Sequence, residues 1–130
     1  MAGHLTKYSD DVRSRFLSSK TEDDVTNLMK EFASAVEAGK EKEAGFPSAA
    51  YAVSKAGLIG GTRALARAQK EKGGEVLINC CCPGYVNTDM TKGNGKKTPD
   101  EGAQTPVLLA IHDIQNKTGT FWQYEKEIEW

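Results

Sequence analysis

Several features that mark particular classes of protein are scarce or missing in this sequence. Its 130 residues contain no apolar run of the about eighteen residues that a membrane span needs. Lys and Arg number 17 against 18 Asp and Glu, so the net charge of −1 offers no basic surface to nucleic acid or to an anionic membrane. The stretch from Met1 to Lys20 lacks the apolar core of a secretory signal. We therefore expect a cytoplasmic protein with no nucleic-acid partner and no membrane partner.

Cysteine and histidine are also sparse, and their positions argue against metal and disulfide chemistry. The three cysteines are consecutive, Cys80 to Cys82, and His4 and His112 lie far from them in the sequence. Adjacent cysteines make a poor disulfide framework, and no Cys or His pair completes a zinc spacing. We expect no metal site, and we interpret the cysteines as reduced thiols at the end of a buried strand.

The glycine-rich turn that holds a dinucleotide pyrophosphate is missing as well. No predicted strand is followed by a G-x-x-x-G-x-G pattern. Gly57, Gly60 and Gly61 lie within a predicted helix, where they indicate close packing against neighbours. The segment 92–97 is basic and glycine-rich but does not match G-x-x-x-x-G-K-[ST]. We interpret it as a mobile loop over a cleft rather than a triphosphate site.

What the sequence does contain predicts four helices with recognisable starts. Thr21 and Thr98 each have an acidic residue three positions later, which is the capping-box spacing. Pro106 falls inside the fourth helix and should kink it. The predicted helices start at Ser9, Thr21, Ala50 and Thr98, and the last three end near Gly39, Lys72 and Ile111.

Two short apolar segments predict strands. Val76 to Ile78, within the segment 75–80, is the unbroken apolar run typical of a parallel strand covered on both faces. A second strand is predicted over 120–124, and a strand, helix and strand in this order imply a right-handed parallel unit. Two parallel strands do not complete a doubly wound sheet. The fold class is therefore α/β, with two strands and flanking helices that are incomplete as a domain.

The clearest chemical signal is the pair Tyr51 and Lys55. Residues four apart lie on one face of a helix. A phenol with a pKa near ~10 is a weak acid at neutral pH, but a cation roughly 4 Å away favours the phenolate by about 4 kcal/mol at an effective dielectric near 20. A phenol tuned in this way can protonate a carbonyl oxygen as hydride reaches its carbon. The spacing alone also fits a core tyrosine beside a solvated lysine.

A second motif about thirty residues later makes the pattern more specific. The chain resembles the second half of a short-chain dehydrogenase/reductase, and within that superfamily it is most similar to the monomeric NADPH-dependent carbonyl reductases. The likeness is looser before Gly45. The matching pieces are Pro47-Ser48-Ala49-Ala50-Tyr51, Ser54-Lys55, Cys81-Cys82-Pro83-Gly84-Tyr85-Val86, Thr88-Asp89-Met90, Thr98-Pro99-Asp100-Glu101-Gly102-Ala103 and Trp130.

This resemblance implies how the chain is organised. Residues 1–130 would be the C-terminal portion of a single domain with a Rossmann-like doubly wound sheet. The helix at about 21–39 would be an insertion that covers a face used for assembly by tetrameric relatives, which implies a monomer. In relatives the glycine-rich turn and a catalytic serine lie upstream, so we expect the chain to be part of a longer enzyme and assign that role to none of its serines.

The resemblance also implies roles for individual residues. Tyr51 would be the general acid, and Lys55 would make the phenol more acidic and hydrogen-bond the nicotinamide ribose. Tyr85 would line the substrate pocket, although an aromatic residue there can equally be packing. The residues expected to contact the cofactor, NADPH, are Tyr51, Lys55, Pro83, Gly84, Val86 and Thr88.

Two functional hypotheses follow, and a third is weaker. The first is NADPH-dependent reduction of a small carbonyl compound, which could be an aldehyde, a ketone or a quinone. The second is a truncated, catalytically inactive fragment with only a binding or regulatory role. An unrelated helical binding module is a third option, which the ordered motifs disfavour.

Overall fold

Four α-helices, two 3-10 turns (Leu5–Lys7 and Asp89–Thr91) and three short strands form the regular structure of the chain, which the computed structural model describes from Met1 to Trp130. The chain divides into two units, one of residues Met1–Val76 with Trp130 and one of residues Leu77–Glu129. None of the helices combines the length and the apolar character that a membrane crossing requires. The elements are α1 (Asp10–Ser18), α2 (Glu22–Glu37), α3 (Ala50–Glu71), β1 (Cys80–Cys82), α4 (Pro99–Ile111), β2 (Phe121–Gln123) and β3 (Lys126–Ile128).

The first two helices begin where their caps predict. Ser9 Oγ accepts a hydrogen bond from the N–H of Val12 at 3.2 Å, which starts α1. At the start of α2, Thr21 Oγ1 accepts from the N–H of Asp24, and the Asp24 carboxylate accepts from the N–H of Thr21. Backbone hydrogen bonds from Lys20 and Thr21 lower the pKa of the Asp24 carboxyl. The predicted capping box is therefore confirmed.

The core of the first unit is built around aromatic rings. Tyr8 packs edge-on against Phe16 and Phe46, with ring centroids 5.5 and 6.2 Å away. Trp130 packs edge-on against Phe16, and its indole N–H donates to the carbonyl of Gly3 at 2.7 Å. The buried residues of this core are Leu5, Tyr8, Val12, Phe16, Val25, Leu28, Phe46, Val53 and Ala56.

The small residues of α3 allow α2 to pack closely against it. A Cβ on Gly57 would overlap the sulfur of Met29, and one on Gly60 would lie 3.3 Å from the side chain of Val25. Side chains at these two positions would push the helices apart. The prediction that the glycines of this helix serve close packing is confirmed at Gly57 and Gly60 and is wrong at Gly61, where a Cβ would meet nothing within 4 Å.

The sheet of the second unit has three strands in the order β1-β2-β3, which corrects the two-strand prediction. β1 and β2 are parallel, with Cys81 opposite Trp122, and α4 connects them. β2 and β3 are antiparallel and are joined at Tyr124 and Glu125, which have φ values of 51° and 61°. Thr105 Oγ1, buried on α4, accepts from the N–H of Glu125 and fixes this turn. The mixed α/β fold class is confirmed.

The first predicted strand lies later in the chain than the sequence indicates. Only Cys80–Cys82 pair with β2 as a strand. Ile78 accepts a hydrogen bond from the Gly119 N–H at 2.8 Å and donates one to the Thr118 hydroxyl, but no residue of the apolar run belongs to a strand. The side chains of Val76 and Leu77 are 63% and 40% exposed. A segment becomes a strand where the backbone of a neighbouring segment pairs with it. An apolar sequence does not by itself bring such a segment alongside.

The fourth helix begins as predicted at its capping box. Thr98 Oγ1 accepts from the N–H of Glu101, and the Glu101 carboxylate accepts from the N–H of Thr98. These hydrogen bonds lower the pKa of Glu101. The helix continues through Pro106 to Ile111, and the kink at that proline stays a prediction.

Candidate active site

The segment that leads into α3 is anchored before the helix starts. The carbonyl of Gly45 accepts from the N–H of Ser9 at 2.9 Å, and a Cβ at Gly45, whose φ is +89°, would overlap the Ser9 hydroxyl. Phe46 is fully buried in the core. Ser48 Oγ donates to Glu41 Oε1 at 2.7 Å, and this hydrogen bond lowers the pKa of Glu41. The chain therefore enters α3 in a fixed direction.

Tyr51 and Lys55 lie one turn apart at the start of α3. The side chain of Tyr51 is 61% exposed, and the Lys55 ammonium lies 5.4 Å from the centroid of its ring. This is a cation–π arrangement on a helix surface. Lys55 forms no ion pair with a carboxylate, so its donors remain available to a ligand. The helix thus presents a phenol and an ammonium together to solvent.

The Pro83-Gly84 turn lies directly after β1, and Lys97 and Tyr124 hold it. Gly84 has φ +87°, a conformation that favours glycine. The Lys97 ammonium is 3.5 Å from the Pro83 carbonyl oxygen and 4.5 Å from the centroid of the Tyr124 ring. A Cβ on Gly84 would lie 3.1 Å from Lys97 Cδ. The turn is therefore held at the carboxyl end of a parallel strand, where open α/β sheets bind ligands.

The residues after this turn are extended and pair with the end of the basic loop. The N–H groups of Lys96 and Lys97 donate to the Tyr85 carbonyl at 2.9 and 3.1 Å, and the Asn87 N–H donates to the Lys97 carbonyl at 2.8 Å. Backbone groups of successive residues in an extended segment point to opposite sides. The N–H of Val86 therefore faces away from Lys97. The side chain of Tyr85 is 54% exposed.

Two further residues of this region were missed by the sequence analysis. The Thr91 hydroxyl accepts from the Thr88 N–H at 3.0 Å and donates to the Val86 carbonyl at 2.8 Å. Gly95 lies so close to the Val86–Asn87 peptide that a Cβ would overlap its backbone atoms. Thr91 lies three residues after Thr88, at capping-box spacing, and this local signal could have identified it. The contact of Gly95 depends on the path of the loop, which no motif signals. The loop at 92–97, predicted to be mobile over a cleft, is joined at its end to the motif, and its mobility stays a prediction.

The three cysteines of β1 are consecutive in one strand. No disulfide links them, and no cluster of three or more His, Cys, Asp and Glu residues could hold a metal ion. Burial, with a smaller contribution from neighbouring Cys82, raises the pKa of the Cys81 thiol. Gln123 Nε2 lies 3.5 Å from Cys82 Sγ. A thiol with a raised pKa is a poor nucleophile at neutral pH.

The predicted site residues fall into two groups. Tyr51 and Lys55 are adjacent within the first unit. Pro83, Gly84, Tyr85, Val86 and Thr88 form one continuous segment of the second unit. That the two groups serve one site stays a prediction.

Comparison with known proteins finds a matching family and several similar reductases. The sequence model of a family described as short chain dehydrogenase matches residues 33–99. Carbonyl reductase (NADPH) 3 of Rattus norvegicus is 43% identical over an alignment that covers 82% of this chain and 40% of the relative. Carbonyl reductase (NADPH) 1 of Homo sapiens is 36% identical, with 97% of this chain and 47% of the relative covered.

A solved structure resembles the fold. Salutaridine reductase from Papaver somniferum superposes with a TM-score of 0.80 at 28% identity, which covers 94% of this chain and 42% of that one. The chain therefore spans somewhat less than half the length of the proteins that it matches.

Proposed function

This chain belongs to the short-chain dehydrogenase family, and from that premise we propose that it serves in the NADPH-dependent reduction of carbonyl compounds. The substrate would be a small aldehyde, ketone or quinone, and Tyr51 would be the proton donor. The observation that carries the proposal is the pairing of Tyr51 with Lys55 on an exposed turn of α3. NADPH as the cofactor rests on the names of the relatives.

The donors in both groups fit a nicotinamide nucleotide. The N–H of Val86, which faces away from Lys97, suits the oxygen of a carboxamide, and the Thr88 hydroxyl follows it in the same segment. The positive φ of Gly84 and its lack of a side chain allow close approach of a ligand next to Pro83. The Lys55 ammonium, which has no carboxylate partner, suits ribose hydroxyls.

In the proposed reaction, the residues of this chain carry out one proton transfer. When bound, NADPH supplies a hydride to the carbonyl carbon. The O–H bond of Tyr51 breaks, and its proton goes to the carbonyl oxygen, which becomes the hydroxyl of the product. The electron pair stays on Tyr51 Oη as a phenolate, which the Lys55 ammonium stabilises until solvent returns a proton. Tyr85, half-exposed beside Gly84, would contact the substrate.

The proposal includes an arrangement of the whole protein. Residues 1–130 would be the C-terminal portion of one domain, with α2 as an inserted helix, and the protein would be a monomer in the cytoplasm. In this arrangement α2 packs on α3 next to Gly57 and Gly60.

A second candidate is a chain that is inactive on its own and only binds a partner. Apolar side chains remain exposed on one face of α3, where Leu58 is 61% and Leu65 42% exposed. β1 is an edge strand with one unpaired side. Exposed apolar faces and strand edges are surfaces on which proteins associate. This candidate predicts that the chain alone turns over no substrate.

The test uses an extended protein, in which this chain follows the residues of human carbonyl reductase 1 that precede the matched region. We expect it to oxidise NADPH in the presence of the quinone menadione, and Tyr51→Phe to lower kcat by about 100-fold or more because the proton donor is lost. Tyr8→Phe removes a core hydroxyl in the same unit and is the matched control. Nearly unchanged turnover in Tyr51→Phe would refute the assignment.

A further inference from the structure

Thr91 is placed to control the backbone of the motif that follows Gly84. It ends a single 3-10 turn, Asp89–Thr91, so its side chain folds back over the residues before it. A hydroxyl is one donor and a two-fold acceptor. Here it accepts from the Thr88 N–H at 3.0 Å, and its single proton has the Val86 carbonyl at 2.8 Å as the nearer acceptor and the Thr88 carbonyl at 3.0 Å as the second. One side chain thereby bridges two of the backbone groups that border the proposed cofactor contact.

The loop that continues from Thr91 holds the other side of the same backbone. Gly95 lies against the Val86–Asn87 peptide with no room for a Cβ. Lys97 then pairs with Tyr85 and Asn87 through its backbone. The Val86–Asn87 peptide is therefore enclosed between a hydroxyl and a glycine from one short segment.

We propose that Thr91 is a positioning residue for nicotinamide binding, and this inference rests on the proposed function. Its hydroxyl fixes the orientation of the Val86 and Thr88 peptides before a ligand arrives. Without it, Thr88 and Val86 would each lose a partner, and the segment would sample other backbone angles. Ordering that segment on binding would then cost affinity. The hydroxyl thus acts on NADPH through Val86 and Thr88 and need not touch it.

The first test needs no cofactor and uses the chain itself. Amide hydrogen exchange followed by NMR should be at least about fivefold faster at Thr88 in Thr91→Val than in the wild type, because one hydrogen bond is lost. Valine keeps the shape of threonine and removes only the hydroxyl. Thr91→Ser keeps the hydroxyl and should restore slow exchange. Equal exchange at Thr88 in the wild type and Thr91→Val would overturn the inference.

The second test titrates millimolar NADPH into the extended protein described above, as the wild type, Thr91→Val and Thr91→Ser, and follows the amide signals of Val86 and Thr88. We expect Thr91→Val to raise the dissociation constant by about three- to tenfold and Thr91→Ser to leave it near the wild-type value. Weaker NADPH binding in Thr91→Val alone would support a positioning role for the hydroxyl. A merely structural defect would instead weaken binding in both variants or unfold the second unit.

The outcomes separate the two claims. If the wild type binds NADPH and Thr91→Val binds equally well, the positioning role is wrong while the proposed function stands. If the wild type gives no shifts at Val86 and Thr88, the cofactor assignment of this segment fails, and the positioning role fails with it. If Thr91→Val alone binds weakly and exchanges fast, both are supported.

Discussion

Tyr51 and Tyr8 lie in the same unit, yet their hydroxyls have opposite environments. Tyr51 is 61% exposed beside an ammonium, whereas Tyr8 is 7% exposed between two aromatic rings. The Tyr8 hydroxyl has no hydrogen-bond partner, and burial raises its pKa to about 12. Solvent access thus distinguishes Tyr51, the proposed proton donor, from Tyr8, which packs in the core.

The environment of Tyr8 predicts a loss of stability at high pH. The folded protein keeps the Tyr8 proton up to about pH 12, whereas an unfolded tyrosine loses it near ~10. The stabilisation that follows from this difference is fully present below pH ~10. The free energy of unfolding then falls by roughly 2–3 kcal/mol as the pH rises to the pKa of Tyr8 in the folded protein. Urea unfolding at about pH 8 and about pH 11.5 measures this.

The matched variant for this prediction is Tyr8→Phe. It should lack this alkaline loss and should be at least as stable as the wild type at neutral pH, because the removed hydroxyl has no partner. A variant as sensitive to alkali as the wild type would show that another group is responsible.

Among the elements, the helices are the part of the fold that could be predicted from the sequence. Their starts depend on contacts three residues apart, such as those of Ser9 and Thr21, which a local pattern reveals. The strands depend on neighbours distant in sequence. β1 therefore begins later than the apolar run indicates, and β3 was missed because Tyr124 and Glu125 form its turn without the usual glycine.

The site divides in the same way. Tyr51, Lys55 and Gly84 belong to motifs that the sequence shows directly. Thr91 has capping-box spacing from Thr88, but its hydrogen bond to Val86 and the contact of Gly95 with Val86 depend on a chain path that no local pattern encodes. Sequence motifs do not reveal contacts that form only because the chain folds back on itself.

At the element scale, the capping box of α2 predicts a measurable effect. Thr21→Ala should lower the free energy of unfolding by about 1 kcal/mol, because the Asp24 N–H loses its acceptor. Because folding lowers the pKa of Asp24, the ionised carboxylate stabilises the folded protein. That stabilisation is fully present above the pKa of Asp24 in the unfolded chain and is lost as the pH falls through its pKa in the folded protein.

Urea titrations at neutral pH and at about pH 3 measure both effects. Thr26→Ala, an exposed position within the same helix, is the control and should change stability much less. Because alanine raises helix propensity at an exposed helix position, a loss of stability as large in Thr26→Ala would show that the effect of Thr21→Ala is not specific to the cap.

For the whole molecule, the proposed activity requires residues from both units. Tyr51, with Lys55 beside it, is proposed to supply the proton, and the segment from Pro83 to Thr88 is proposed to bind the nicotinamide. The chain covers 40% and 47% of the lengths of the two carbonyl reductases described above. The extended protein is therefore the form in which the proposal is best tested.

The most direct measurement is an NMR titration of the extended protein with NADPH, followed at the amides of Lys55 and Val86. Binding of one cofactor by both groups predicts that the two signals shift together and give a single dissociation constant. Shifts at only one of the two residues, or two different dissociation constants, would contradict the proposal that they serve one site.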